Sequence, residues 1–183
     1  MEQQDTIQRK DPALLEQGNK EIFLAGGCFW GTQKYVSLVH GVLDTSAGYI
    51  NGPAFQEVFD HASGYADGIH VVYDPTKLSL GFLLELYFKS VDPTSINKQG
   101  ENEGVLYRTG IYYTDENDLP IIQKCMEELQ AGLAEKVAIE VGPLRNYYIA
   151  KDHHQDRLNR DPGAVCHIPE ALFEYAAKAR ENQ

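Results

Sequence analysis

The run Gly26-Gly27-Cys28-Phe29-Trp30-Gly31 gathers a nucleophile, two large aromatics and three glycines into consecutive positions. Residues 21–25 (EIFLA) read as a buried strand, the glycine pair turns the chain, and a helical stretch follows to about Val39. Cys28 is therefore expected at a helix start. Unpaired backbone N–H groups and the positive end of the helix dipole favour thiolate there, and can bring a cysteine pKa from about 8.5 towards 7 or below. Gly26, Gly27 and Gly31 keep the backbone slim, so a substrate can come close to the sulfur. Phe29 and Trp30, the chain's single tryptophan, can wall an apolar pocket for a methyl or thioether group. The competing reading is a structural cysteine among core aromatics. The glycine-flanked strand-to-helix turn favours chemistry.

The elements that would position this turn follow from pattern. Residues 1–19 form a flexible N-terminal arm broken by Asp11-Pro12 and Gly18-Asn19, and residues 20–183 form one domain. Strands are expected at residues 41–50, 69–73, 108–113 and 137–141. Helices are expected at residues 78–90, 115–133 and from about Pro169. Residues 92–107 form a long loop rich in Asn, Gly and Glu, and loops of that length are more often functional than decorative. Strands and helices at unequal intervals point to an α+β fold.

Composition narrows the classes of function. Sixteen Lys and Arg against 27 Asp and Glu give a net charge of −11, which argues against nucleic-acid or anionic-membrane partners. Residues 1–15 lack the apolar core of a secretory signal, and no run is long enough to span a bilayer, so a cytoplasmic location is expected. Three cysteines (Cys28, Cys125, Cys166) are too few and odd in number for a secreted disulfide framework. In the cytosol a disulfide between two of them would be transient and catalytic. Cys125, inside the helix at residues 115–133 and beside Met126, reads as structural.

Gly27-Cys28-Phe29-Trp30-Gly31 resembles the signature of the methionine sulfoxide reductase A family. Further stretches match in the family's order: Gly48-Tyr49 with Asn51-Gly52, residues 71–75 (VVYDP), Asp92-Pro93-Thr94, residues 97–100 (NKQG), residues 107–112 (YRTGIY), His154-Gln155, and Pro162-Gly163 with Cys166-His167-Ile168. The resemblance covers about residues 21 to 170. It implies a ferredoxin-like α/β plait: a mixed sheet with helices packed on it and a long irregular C-terminal tail. It also implies that Cys28 attacks the sulfoxide sulfur, becomes a sulfenic acid, and then condenses with Cys166 to a disulfide that thioredoxin reduces. Methionine sulfoxide, free or in proteins, is the implied substrate, with no metal or organic cofactor; separately, a monomer is expected.

The family's acid, usually glutamate, aligns with Asp67, one methylene shorter; a shortfall of about 1 Å can cost on the order of 10²-fold in rate. Of two tyrosines around the sulfoxide oxygen, one aligns with Tyr107 and the other with Phe55, which has no hydroxyl. The family's loop aspartate aligns with Asn102, and Lys151 stands where a glutamate is usual. Gly27, Gly31 and His154 are supporting residues. Other readings are a divergent thiol redox protein, an oxidised-methionine-binding protein of the same fold with weak or altered activity, and a metal site. The metal site is disfavoured, because Cys28, Cys166, His153, His154 and His167 lack ligand spacing.

Overall fold

A computed structural model of the chain describes residues 6–53, 64–164 and 166–181. A one-turn helix, α1 (Ala13–Glu16), precedes β1 (Lys20–Gly26). β1 carries Ile22 and Leu24 on one face and Glu21, Phe23 and Ala25 on the other, and all five are buried. The strand is therefore covered on both sides, as its near-continuous apolar run requires. Gly27, at φ +87°, turns the chain through a region that L side chains avoid, and α2 (Phe29–Ser37) starts at once with Cys28 as N-cap. β2 (Val42–Ile50) and β3 (Ala66–Tyr73) pair antiparallel. α3 (Leu80–Lys89) begins where the Ser79 hydroxyl accepts from the Phe82 N–H.

The long loop carries a small hairpin, β4 (Lys98–Gln99) with β5 (Asn102–Glu103), and a 3-10 turn at Val105–Tyr107. Then come β6 (Thr109–Tyr113), α4 (Leu119–Ala131), β7 (Glu140–Pro143), β8 (Tyr147–Ile149), α5 (Arg157–Arg160) and α6 (Glu170–Lys178). The main sheet has the order β7-β6-β1-β3-β2-β8, with β7 parallel to β6 and every other pair antiparallel. This is a mixed-sheet α+β fold.

Leu24, Ile69 and Val71 meet Tyr35 and Val36 of α2 and Leu83 and Leu84 of α3 in the larger core. On the reverse face Phe23, Ala25, Ile50, Ala66, Tyr112 and Tyr147 form a second, smaller core. Glu21 is buried on that face too. It accepts both arms of the Arg9 guanidinium at 2.9 and 2.7 Å and the Thr114 hydroxyl at 3.0 Å, and His70 Nε2 lies at 2.7 Å.

Four sequence expectations need correction. The strand placed at residues 137–141 begins only at Glu140, because the Ala138 N–H donates to the Pro93 carbonyl in the long loop and not to the sheet. The helix placed at residues 115–133 becomes α-helical only at Leu119; Pro120 belongs in a first turn, and a 3-10 turn precedes it. The C-terminal stretch is not uniformly irregular, since β8 joins the sheet beside β2. Of residues 1–19, expected as a flexible arm, residues 6–10 are bonded to the body of the protein. The Tyr147 N–H donates to the Thr6 carbonyl, the Gln8 N–H donates to the Tyr147 carbonyl, and Lys10 pairs with Asp44. No described helix is long and apolar enough to cross a membrane.

Candidate active site

The nucleophile turn is held from two sides. The Gly26 carbonyl meets His167 Nε2 at 3.0 Å. A Cβ on Gly27 would fall 2.7 Å from Gln99 Cβ and 3.2 Å from His167 Cε1, so a side chain has no room there. Gln99 is itself fixed: its Oε1 accepts from the Asp92 N–H at 2.8 Å and its Nε2 donates to the Asp92 carbonyl at 3.0 Å. The Cys166 sulfur rests against the first turn of α2, where a Cβ on Gly31 would approach it to 2.8 Å. The Ile168 N–H donates to that sulfur at 3.3 Å. Cys28, Cys125 and Cys166 are free thiols.

Asp67 stands at the start of β3, opposite Tyr49 of β2. Its side chain shares the helix-covered face with Ile69 and is 5% exposed. Burial pushes its carboxyl up to about 8, against the Phe29 backbone N–H, which works in the opposite sense. The acid is mostly protonated at neutral pH.

The thiolate expected at Cys28 is not the resting state. Burial pushes the thiol up to about 12; the Trp30 N–H opposes this, and negative charge on Asp67 or Cys166 adds to it. A nine-residue helix offers only a partial charge at its N-terminus, and that is outweighed by removal of the sulfur from water. Tyr107, in the 3-10 turn before β6, is raised by its own burial and then by the charges of Asp67 and Cys28. Thiol, carboxylic acid and phenol thus lie within one another's fields, each holding its proton.

The aromatic residues divide their work. Phe29 is 3% exposed and packs under Tyr49 and His154, with ring centroids 5.6 and 5.3 Å away. Its ring is thus buried among these neighbours. Trp30 is only partly buried; its indole N–H donates to His154 Nδ1 at 3.1 Å, and the Arg157 guanidinium lies 5.3 Å over its ring.

Asn102 pairs with Gln99 across the β4–β5 hairpin, and Gln99 is the residue of that pair that reaches the turn. Phe55 lies outside the described residues. Lys151 is exposed before the turn that carries His154. Cys125, on α4, belongs to another place: it lines a cavity of about 370 Å³ with Glu85 and Phe88 of α3. Gln99 and Tyr49 do not stand out in the sequence as site residues, and His167 stands out there only as a candidate metal ligand. Each fell within or beside a recognised motif, but their role is to pack on the turn, which no local pattern reveals.

A family model described as peptide methionine sulfoxide reductase matches residues 20–183. The chain belongs to the peptide methionine sulfoxide reductase family. A relative named peptide methionine sulfoxide reductase MsrA, from Lachnoclostridium phytofermentans, is 47% identical over 165 residues, covering 88% of this chain and 99% of that protein. Another of that name, from Clostridium acetobutylicum, is 42% identical over 158 residues, covering 84% and 98%. Among solved structures, reduced Mxr1 from Saccharomyces cerevisiae superposes with a TM-score of 0.75 at 31% identity, covering 86% of this chain and 92% of that one. The same yeast protein in complex with Trx2 superposes at 0.58 and 28% identity, covering 80% and 88%. As a reductase of the MsrA type, this chain is an oxidoreductase acting on methionine sulfoxide.

Proposed function

We propose that Cys28 is the nucleophile and Asp67 the acid in reduction of methionine S-sulfoxide, free or in proteins. The observation that carries this is the burial of Asp67, whose carboxyl is held protonated up to about 8 in the electrostatic reach of the Cys28 thiol. The Cys28 sulfur attacks the sulfoxide sulfur while Asp67 gives its proton to the oxygen, and the thiol proton returns to Asp67. The oxygen passes to Cys28 as a sulfenic acid and methionine leaves. Tyr107 adds a hydrogen bond to the oxygen, and Trp30 flanks the thioether with Phe29 beneath; Phe55 and Asn102 stand where the family usually has a tyrosine and an aspartate.

Cys166 then attacks the sulfenic sulfur: an S–S bond forms, the S–O bond breaks, and the hydroxyl leaves with the Cys166 proton as water. Thioredoxin returns both cysteines to thiols, a reading supported by the yeast neighbour seen with Trx2. Gly27, Gly31 and His154 support the site. The strand order β6-β1-β3-β2, all antiparallel, with α2 and α3 against one face, supports a ferredoxin-like plait as its framework. The chain acts as a cytoplasmic monomer without metal or organic cofactor.

Turnover on separated sulfoxide epimers, with thioredoxin as reductant, tests this. The wild type reduces the S epimer and Cys28→Ser reduces neither. A wild type that reduces neither epimer overturns the reading.

A further inference from the structure

Arg157, in the short helix α5, lays its guanidinium 5.3 Å over the Trp30 ring. Stacking uses the flat face of the group and leaves in-plane donors along its edge. Among the described residues its Nε, turned inward, has no acceptor. Its carboxylate partner, Asp161, sits one helical turn on at 3.4 Å, and the two side chains are 36% and 52% exposed. Such a long, solvent-facing pair is weak and can be exchanged. Arg157 is therefore a permanent cation, held by an aromatic face, beside the residue two positions after Cys28, with its charge only loosely claimed. The chain as a whole carries −11, so its general field repels anions, and the guanidinium over Trp30 is a local exception to that field.

We propose that Arg157 determines specificity by binding a carboxylate carried by the substrate next to its sulfoxide. The inference rests on Trp30 flanking the substrate. A carboxylate can come from two sources: the α-carboxylate of the amino acid itself, or an acidic side chain adjacent to oxidised methionine in a polypeptide. Asp161 competes for the same guanidinium and sets how freely it is offered. The two side chains thus have opposite effects on the same substrates, which a purely structural role of Arg157 would not produce.

The test measures KM and kcat of wild type, Arg157→Gln and Asp161→Asn on matched S-sulfoxide substrates. One pair is N-acetyl-methionine sulfoxide and its amide. The other is an acetylated, amidated dipeptide with Asp or Asn after the oxidised methionine. Arg157→Gln raises KM for the carboxylate-bearing member of at least one pair by roughly three- to tenfold and leaves the neutral members and kcat unchanged. Asp161→Asn lowers KM for the same substrate with Arg157 still in place, and both effects shrink in 0.5 M salt, about a 4 Å screening length. An effect confined to the first pair assigns the α-carboxylate, and one confined to the second assigns the neighbouring acid. Equal KM changes on charged and neutral members, or none in either variant, overturn the inference. Wild-type turnover without charge discrimination sinks this inference alone, whereas absence of turnover on every substrate sinks the proposed function beneath it.

Discussion

Trp30 donates its indole N–H to Nδ1 of His154 at 3.1 Å, joining the first turn of α2 to a 3-10 turn 124 residues further along. An indole can only donate, so Nδ1 must accept, and the His154 proton resides on Nε2. Replacing Trp30 with Phe keeps a ring and removes the donor. The expected result is a fall in kcat/KM of roughly two- to tenfold, the worth of one net hydrogen bond, with sulfenic acid still formed on Cys28. Steady-state kinetics with sulfenic trapping checks both. Unchanged kinetics would show that this bond does not position the site.

Asp67 works as an acid only while protonated. With its carboxyl at about 8, kcat/KM is flat at neutral pH and falls as pH rises through 8. Asp67→Asn should lower kcat by about 10²–10⁴-fold and remove that fall. Stability carries the same signature. The folded value lies above the ordinary 3.8, so the contribution is fully present below 3.8 and is lost as pH rises through about 8. Wild type should therefore lose stability relative to Asp67→Asn between about pH 4 and 8. Chemical denaturation of both proteins at several pH values reads this out, and parallel profiles would contradict the burial of a neutral acid.

The Cys28 thiol, pushed up to about 12, should resist alkylation. In a Cys125→Ser, Cys166→Ser background, the iodoacetamide rate should stay low and climb about tenfold per pH unit from pH 6 to 9 without reaching a plateau. A plateau reached near neutral pH would restore the helix-dipole expectation and remove the need for a neutral thiol in the mechanism.

Gly31→Ala places a methyl 2.8 Å from the Cys166 sulfur, inside van der Waals contact. Either the residues around Cys166 shift or α2 does, at a cost of about 1–3 kcal/mol. The first turnover of sulfoxide should survive while the Cys28–Cys166 disulfide forms slowly, so that sulfenic acid accumulates. Mass spectrometry after a single turnover distinguishes this from loss of both steps.

Glu21 lies on the face of the sheet away from Cys28. Burial alone would raise its carboxyl, but hydrogen bonds from His70 and Arg9 outweigh burial and hold it at about 2. Its folded value is below the ordinary 4.5, so its stabilisation is present above 4.5 and lost as pH falls through about 2. Glu21→Gln should cost about 2–3 kcal/mol at pH 7 and spare kcat. A comparable loss of turnover in a folded variant would mean that the two faces are coupled.

The part of the molecule legible in the sequence is the part built from local pattern. The apolar run of β1, the glycine pair and the helix after Cys28 announce themselves within a dozen residues. β8 was missed because Tyr147–Ile149 is too short to show alternation and is a strand only through Gly48–Ile50, about a hundred residues earlier. Gln99 and His167 escaped for a related reason, since their task is to pack on Gly27. The thiolate expectation at Cys28 failed because position in a helix can be read from sequence and burial of a sulfur cannot. Asp67 was found through the resemblance, and only the folded chain shows why an aspartate there keeps its proton.

The residues laid beside β8 have a consequence for how the molecule behaves in company. The N–H of Tyr147 is taken by the Thr6 carbonyl, and that of Ile149 by the Gln8 side chain at 2.8 Å. The outermost rim of the sheet is therefore already occupied and offers no template on which another chain can add a strand. At the opposite rim β7 ends in Pro143, which has no N–H to give, and Glu140 is exposed. Oxidised methionine carried in an extended polypeptide would bring such a strand to the protein. With the β8 border occupied, an extended chain meets no free backbone there onto which to zip.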